Sequence, residues 1–322
     1  MRRTCLIGVL ALMFAFGHTA AWAQTYPAKS VRVVIPWPPG GSNDIVGRII
    51  TQKLSEATGQ QFVVDNRGGA AGTIGSDVVA KSAPDGYTIM VHSATHVANP
   101  HLYGKLPYDT LKDFAAVAPL SVQIGMLIVH PSLPVNSVKE FIALAKRNPG
   151  EIRYSSSGNG SFVHLTMAML NVMTGTKMIH VPYKGGGPAA VSIASGETQA
   201  QVGTIGAVMQ QVKANRVRPL GVTSDYRVEV FPEVPTLAEA GVTGYEFTAW
   251  IGTLAPAGTP KAIVDKLNGD IQKILKLPDV AANLKSQTLD PLVMSPEQFA
   301  QRLKSDYDKY EKVIKVTGAK ID

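Results

Sequence analysis

Residues 31–58 read VRVVIPWPPGGSNDIVGRIITQKLSEAT, and the interpretation of the whole chain starts there. Val31 to Ile35 is β-branched and apolar, the composition of a buried strand. The prolines and glycines from Pro36 to Gly41 end it. From Asn43 to Thr58, Ile45, Val46, Ile49, Ile50 and Leu54 fall on one face at helical spacing. Strand, glycine-rich loop and amphipathic helix together form the first half of a βα unit.

The same grammar recurs outward. Strands are predicted at 62–64 and 87–91, with a short helix at 72–82 between them, and such repeated βα units need a mainly parallel sheet. Beyond residue 130, Ser137-x-x-Glu140 opens a helix that ends near Asn148-Pro149-Gly150. Strands then alternate with helices: 152–155, 178–182, 200–203 and 219–223 against 161–174, 187–195 and 205–214. Pro232-Glu233-Val234-Pro235 breaks the pattern, 247–254 is strand-like, and Thr259-Pro260 and Ser295-Pro296-x-Gln298 each start a helix with a cap and an N1 proline. Two α/β blocks, about 24–122 and 123–250, therefore precede a helical tail whose partner periodicity leaves open.

Composition agrees with a large packed core: 322 residues, 45% hydrophobic and 17% charged, exclude a disordered chain. Residues 1–23 are expected to be a cleaved secretory signal, with Arg2 and Arg3, the apolar run Leu6 to Phe16 and the small-x-small site Ala21-Trp22-Ala23. That run is too short to cross a bilayer. Cleavage would leave 29 basic against 24 acidic residues, a net of +5, and would remove the sole cysteine, Cys5. No disulfide, thiol nucleophile or thiolate ligand is then expected, and the expected destination of such a chain is the periplasm. Basic residues are scattered, so nucleic acid is not an expected partner, whereas small anions are.

Four loops follow predicted strands and open helices: 37–44, 92–95, 155–161 and 183–188, two in each block. Ligands of open α/β sheets bind at such ends, where free helix N–H groups attract anions. Asp44 reads as a structural cap there, and Trp37 as either core or a rigid wall of a cleft. Enzyme motifs fit poorly. Gly158-Asn159-Gly160-Ser161 is not a nucleophile elbow, since its serine follows the second glycine and is placed to cap the next helix, and it reaches Val163 where a dinucleotide loop needs Gly or Ala. Gly185-Gly186-Gly187-Pro188 lacks the Lys-Ser/Thr of a P-loop. His92, His96 and His101 have no acidic companion for a metal, and His164 and His180 read as hydrogen-bonding residues, with His164 able to orient a loop or a ligand. No cofactor, metal or catalytic residue is predicted.

These residues also resemble a known family. Pro36-Trp37-Pro38-Pro39-Gly40-Gly41 with Asp44, Asn66-Arg67-Gly68-Gly69-Ala70, Pro84-Asp85-Gly86-Tyr87-Thr88, Leu106-Pro107-Tyr108-Asp109, His180 to Gly185, Pro235 to Gly241 and Pro256 to Pro260 occur in order. Together they are similar to the Bug-type periplasmic solute-binding proteins of the tripartite tricarboxylate transporter family. The resemblance implies a two-lobed Venus flytrap, each lobe a mainly parallel sheet flanked by helices. Lobe 1 would be 24–122 plus 251–322, and lobe 2 would be 123–250. It implies a monomer that captures a mono- or dicarboxylate for a membrane permease, the alternatives being a sensor for a signalling partner or a hydrolase using Ser161 and His164. The implied ligand residues are Trp37, Gly40, Gly41, Ser42, Asn43, Ser93, Thr95, Ser157, Gly158, Ser161, His164, Tyr183 and Thr204, with Gly40 and Gly41 meeting the first carboxylate and Trp37, Asn43 and Thr204 the distal end. Gly203 and Thr204 stand where many relatives carry an acid or asparagine, which would disfavour a ligand ammonium.

Overall fold

The strand Val31–Ile35 (β1) is an interior strand of a five-stranded sheet, and its apolar side chains are buried on both faces. The computed structural model describes residues 26–320, so the expected signal segment and its cleavage site lie outside the described residues. After β1 come α1 (Ser42–Thr58), β2 (Phe62–Asn66), α2 (Thr73–Ala80), β3 (Thr88–Ser93), α3 (Thr95–Leu102) and β4 (Phe114–Gln123). The chain then enters a second sheet through β5 (Gly125–Val129), α4 (Val138–Arg147), β6 (Arg153–Ser156), α5 (Phe162–Thr174), β7 (Ile179–Pro182), α6 (Gly186–Ala194), β8 (Ala200–Thr204), α7 (Ile205–Lys213) and β9 (Arg218–Val222). It returns through β10 (Ala249–Pro256) and finishes with α8 (Lys261–Leu275), α9 (Pro278–Ser286) and α10 (Pro296–Thr317).

The strand orders are β2-β1-β3-β10-β4 and β7-β6-β8-β5-β9. In each sheet the fourth strand runs antiparallel to both neighbours, β10 in the first and β5 in the second. Each sheet is thus mixed, with four strands sharing one direction. The reversed strand is in both cases the first one laid down after the chain crosses from the other sheet. The fold is therefore two-lobed α/β, and the crossings tie the lobes at Gly125, whose N–H donates to Thr223 Oγ1, and at Thr223, whose N–H donates to the Gly125 carbonyl.

Local chemistry explains most boundaries. α1 ends on Gly59 in the left-handed region, and Ser137, Ser161 and Ser295 each accept an N–H from the first turn of α4, α5 and α10. One sequence expectation fails in detail. Pro260 is the N-cap of α8, and the Thr259 hydroxyl donates to the Pro256 carbonyl instead of capping. The strand β4 carries no β-branched pattern and contains Pro119, so periodicity does not show it. Its one partner strand is β10, with a further bridge from Ser121 to Pro291, and beside Pro119 the register slips because Leu120 is an extra residue on β4, which accommodates the missing N–H.

The helical tail is anchored to the first sheet. α8 packs on β4, while α10 packs on α3 and β4 and reaches α5 with its far end. The buried Trp250 of β10 donates its indole N–H to Asp306 Oδ2 at 2.9 Å, and Arg302 donates to the same oxygen at 2.8 Å. Phe299 stands edge-on to Trp250 with ring centroids 5.1 Å apart. Trp250→Phe keeps the packing but removes one donor from a buried carboxylate. It is expected to lower stability by about 1–3 kcal/mol in urea unfolding.

Candidate functional site

Five helices begin at one cavity between the lobes. In an α-helix the first N–H groups have no partner within the helix, and the aligned peptide dipoles place partial positive charge there. Ser42 and Asn43 open α1, and Thr95 opens α3, from the first lobe. Phe162 and Val163 of α5, Gly186 of α6 and Ala207 of α7 face the same space from the second. None of these seven N–H groups has an acceptor among the described residues. Hydroxyls of Ser42, Ser93, Thr95, Ser157, Ser161 and Thr204 complete the lining with Trp37, Pro38, Gly41, Gln123, Gly185 and Gln201. No lysine, arginine, aspartate or glutamate lines this cavity. It suits an anion held by dipoles and N–H donors, without an ion pair.

The cavity is small. The centre of a water molecule can range over about 40 Å³, room for about three waters. A second, outer hollow of about 610 Å³ shares Trp37, Pro38, Ser157 and Gly185 with it. Trp37 therefore walls both spaces, its edge against His92 with ring centroids 6.0 Å apart and its Nε1–H buried without an acceptor.

Nine of the thirteen expected residues line the inner cavity: Trp37, Gly41, Ser42, Asn43, Ser93, Thr95, Ser157, Ser161 and Thr204. Four do not. The Gly40 N–H is taken by Asp44 Oδ2 at 3.0 Å, whereas those of Ser42 and Asn43 have no acceptor among the described residues. The Gly158 N–H donates to Ser156 Oγ at 3.1 Å, and Gly158 and Tyr183 line the outer hollow. His164 lies behind the loop, beside Thr317 to Lys320. Pro38, Gln123, Phe162, Val163, Gly185, Gly186, Gln201 and Ala207 are the lining residues that the sequence reading did not select. The two glutamines sit on strands rather than in the glycine-rich loops, and only the folded arrangement brings β4 and β8 to the same cavity. At Gly203 a Cβ would lie 2.2 Å from Val208 Cγ1, so an acid cannot stand there without moving Val208.

Both lobes hold their loops from behind. In the first, buried Asp44 accepts from Gly40 N–H, Arg48 Nε and Asn66 Nδ2, and Asn66 also donates to the Trp37 carbonyl. Burial would raise the Asp44 pKa, but these donors outweigh it and hold the carboxyl below its ordinary value. In the second, His164 Nδ1 accepts the Gly160 N–H at 3.0 Å, and its ring stacks on His180 with centroids 3.9 Å apart. His180 Nε2 bonds Ser156 Oγ at 2.5 Å. Burial pushes His164 down to about 4, and burial with the charge of His164 pushes His180 to about 3. Ser161 Oγ accepts the His164 backbone N–H, so this pair caps a helix and is not arranged as nucleophile and base. His92 and His96 are fully buried in lobe 1, 5.4 Å apart between ring centroids, and His101 packs on Tyr307.

The fold and site define a two-lobed binding protein with an interlobe cavity lined by N–H groups that lack acceptors among the described residues. A model of the family described as "Tripartite tricarboxylate transporter family receptor" matches residues 46–319. Protein BugT of Bordetella pertussis is 33% identical over 325 residues, covering all of both chains. Among solved structures, the R. palustris protein Rpa4515 with adipate is 35% identical, with TM-score 0.89, over 92% of this chain and all of that one. MatC from Rhodopseudomonas palustris with bound malate is 31% identical, with TM-score 0.84, over 90% of this chain and all of that one. This chain belongs to the tripartite tricarboxylate transporter receptor family, with the Bug proteins.

Two outcomes test the supports of the loops. Asp44→Ala strands the Gly40 N–H and Arg48 and is expected to cost about 1.5–3 kcal/mol in urea unfolding, since bonds to a charged group are lost. For the histidines, the folded pKa lies below the unfolded value of 6.5, so the unfolded chain binds extra protons in between. Their stabilisation is whole above about pH 6.5 and is lost as pH falls toward about 4. A melting-temperature series over this range should slope downward with acid, and His180→Asn should flatten part of the slope. Buried His92 and His96 and half-buried His101, each also lowered by burial, add to the slope.

Proposed function

We propose that this protein captures a small mono- or dicarboxylate between its lobes and presents the closed complex to the permease of a tripartite tricarboxylate-type transporter, leaving the ligand chemically unchanged. Lobe 1 comprises 24–123 and 249–322 and lobe 2 comprises 124–248, the expected boundaries at 122 and 250 moving by one or two residues because β4 ends at Gln123 and β10 begins at Ala249, and the mature monomer works in the periplasm after cleavage near Ala23. The observation that carries this reading is the convergence of five helix N-termini from both lobes on one cavity without a cation. A carboxylate touching both sides binds the closed state better than the open one, and that difference drives closure. The adipate and malate of the two structural relatives support a carboxylate as the cargo.

Transport sets a demand that catalysis does not: the ligand must be released intact. Donors are fixed in advance, and the Ser161 hydroxyl caps α5 instead of standing beside a base. Purified protein lacking residues 1–23, screened against short mono- and dicarboxylates, should rise in melting temperature with at least one, by an amount equivalent to about 2.7 kcal/mol at a hundredfold excess over Kd. NMR of the recovered ligand should show it unaltered. A panel without any stabilising carboxylate, or a ligand converted by wild type but not by Ser161→Ala, would overturn the reading. Loss of carboxylate uptake on deletion, with induced transcription unaffected, separates transport from sensing.

A further inference from the structure

The inner cavity contains donors for an anion and something a plain carboxylate does not use. Gln123 ends β4 in the first lobe and Gln201 lies on β8 in the second, and both line the cavity. They are 4% and 1% exposed. Neither side-chain amide makes a hydrogen bond among the described residues, and both carbonyl oxygens are buried without a partner. The carbonyl oxygen of Asn43, at the first turn of α1, is in the same condition.

Buried polar groups without partners are rare and costly, about 1–3 kcal/mol each. A carboxylate only accepts, so it satisfies Trp37 Nε1–H, the hydroxyls and the helix N–H groups but leaves an amide carbonyl unpaired. The group that fits the glutamines is one that both donates and accepts. A hydroxyl does this while staying neutral. An ammonium also donates, but it would bring a full charge into a cavity lined by no carboxylate.

We infer that Gln123 and Gln201 form a specificity pair that reads a hydroxyl on the ligand, so that the cargo class is the short hydroxycarboxylic acids rather than plain or amino acids. This rests on the carboxylate-capture reading above and refines it. One amide comes from each lobe, so the hydroxyl is gripped only when the lobes close. Recognition of the hydroxyl and closure are then the same event. Sites built to bond a hydroxyl reject the analogue lacking it far more strongly than apolar pockets reject a missing methylene.

Isothermal titration of the mature protein tests this with matched pairs of three, four and five carbons: lactate with propionate, malate with succinate, and 2-hydroxyglutarate with glutarate. For whichever chain length binds, the hydroxy acid should bind at least about tenfold more tightly, one discriminating hydrogen bond's worth. Aspartate should bind more weakly than malate. Gln123→Leu and Gln201→Leu should each pull the hydroxy-to-plain ratio toward one. The unliganded melting temperature should not fall, because an apolar group replaces an unpaired polar one. Gln→Met at the same positions supplies the ratio if a leucine variant does not fold.

Equal affinities within every pair, as expected if ordered waters satisfy the amides, would overturn the inference while carboxylate capture stands. So would a ratio that neither glutamine variant moves, or aspartate binding as tightly as malate. If no acid of any pair binds and the wider carboxylate panel also fails, the capture reading itself falls, and this inference with it.

Discussion

An anion can be buried without a counter-charge only if enough hydrogen-bond donors already point at it, and this constraint shapes the rest of the molecule. Ser42, Asn43, Thr95, Phe162, Val163, Gly186 and Ala207 present N–H groups that their own helices cannot use. Backbone donors move only with their helix, so the geometry is set by how α1, α3, α5, α6 and α7 are seated. The supports behind the loops follow from that need. Asp44 ties Gly40 and Asn66 behind the first loop, and His164, stacked on His180, ties Gly160 behind the second. Three glycines that look available in the sequence, Gly40, Gly158 and Gly160, spend their N–H groups on these ties.

The two lobes are held by the chain crossings and by the last helix. Each sheet receives its reversed strand directly from a crossing, so a change in lobe angle bears on β5 and β10 near Gly125, Thr223 and Trp250. α10 is fastened to lobe 1 through Trp250, Asp306 and Phe299 and touches α5 with its far end. α5 supplies two of the converging N–H groups, so the tail that stabilises one lobe also contacts an element of the binding site in the other. A ligand spanning the cavity adds contacts only in the closed arrangement, which is the physical content of capture.

Much of this was legible in particular residues. The 31–58 stretch announced β1, the loop and α1, and the loops at 92–95, 155–161 and 183–188 marked other strand-to-helix turns. Ser161 was readable as a cap because it precedes an apolar helix, and the structure has it accept the His164 N–H. The limits are also specific. Trp37, Gly41 and Thr204 were reachable because they sit in or beside those loops. Gln123 and Gln201 were not, because a glutamine within an apolar strand carries no periodic or motif signal, and β4 itself is obscured by alanines and Pro119.

The sequence by itself determined the alternation of strand and helix, the caps, the loops able to present N–H groups and the family to which the chain belongs. Those depend on neighbours a few residues apart, or on ordered blocks of residues. Only the tertiary structure decided which of the loop N–H groups remain free and that two amides from different lobes share one small cavity. Hydrogen-bond satisfaction is settled by groups far apart in the chain, as with Asn66 on the Trp37 carbonyl or Trp250 on Asp306, and no local pattern encodes it.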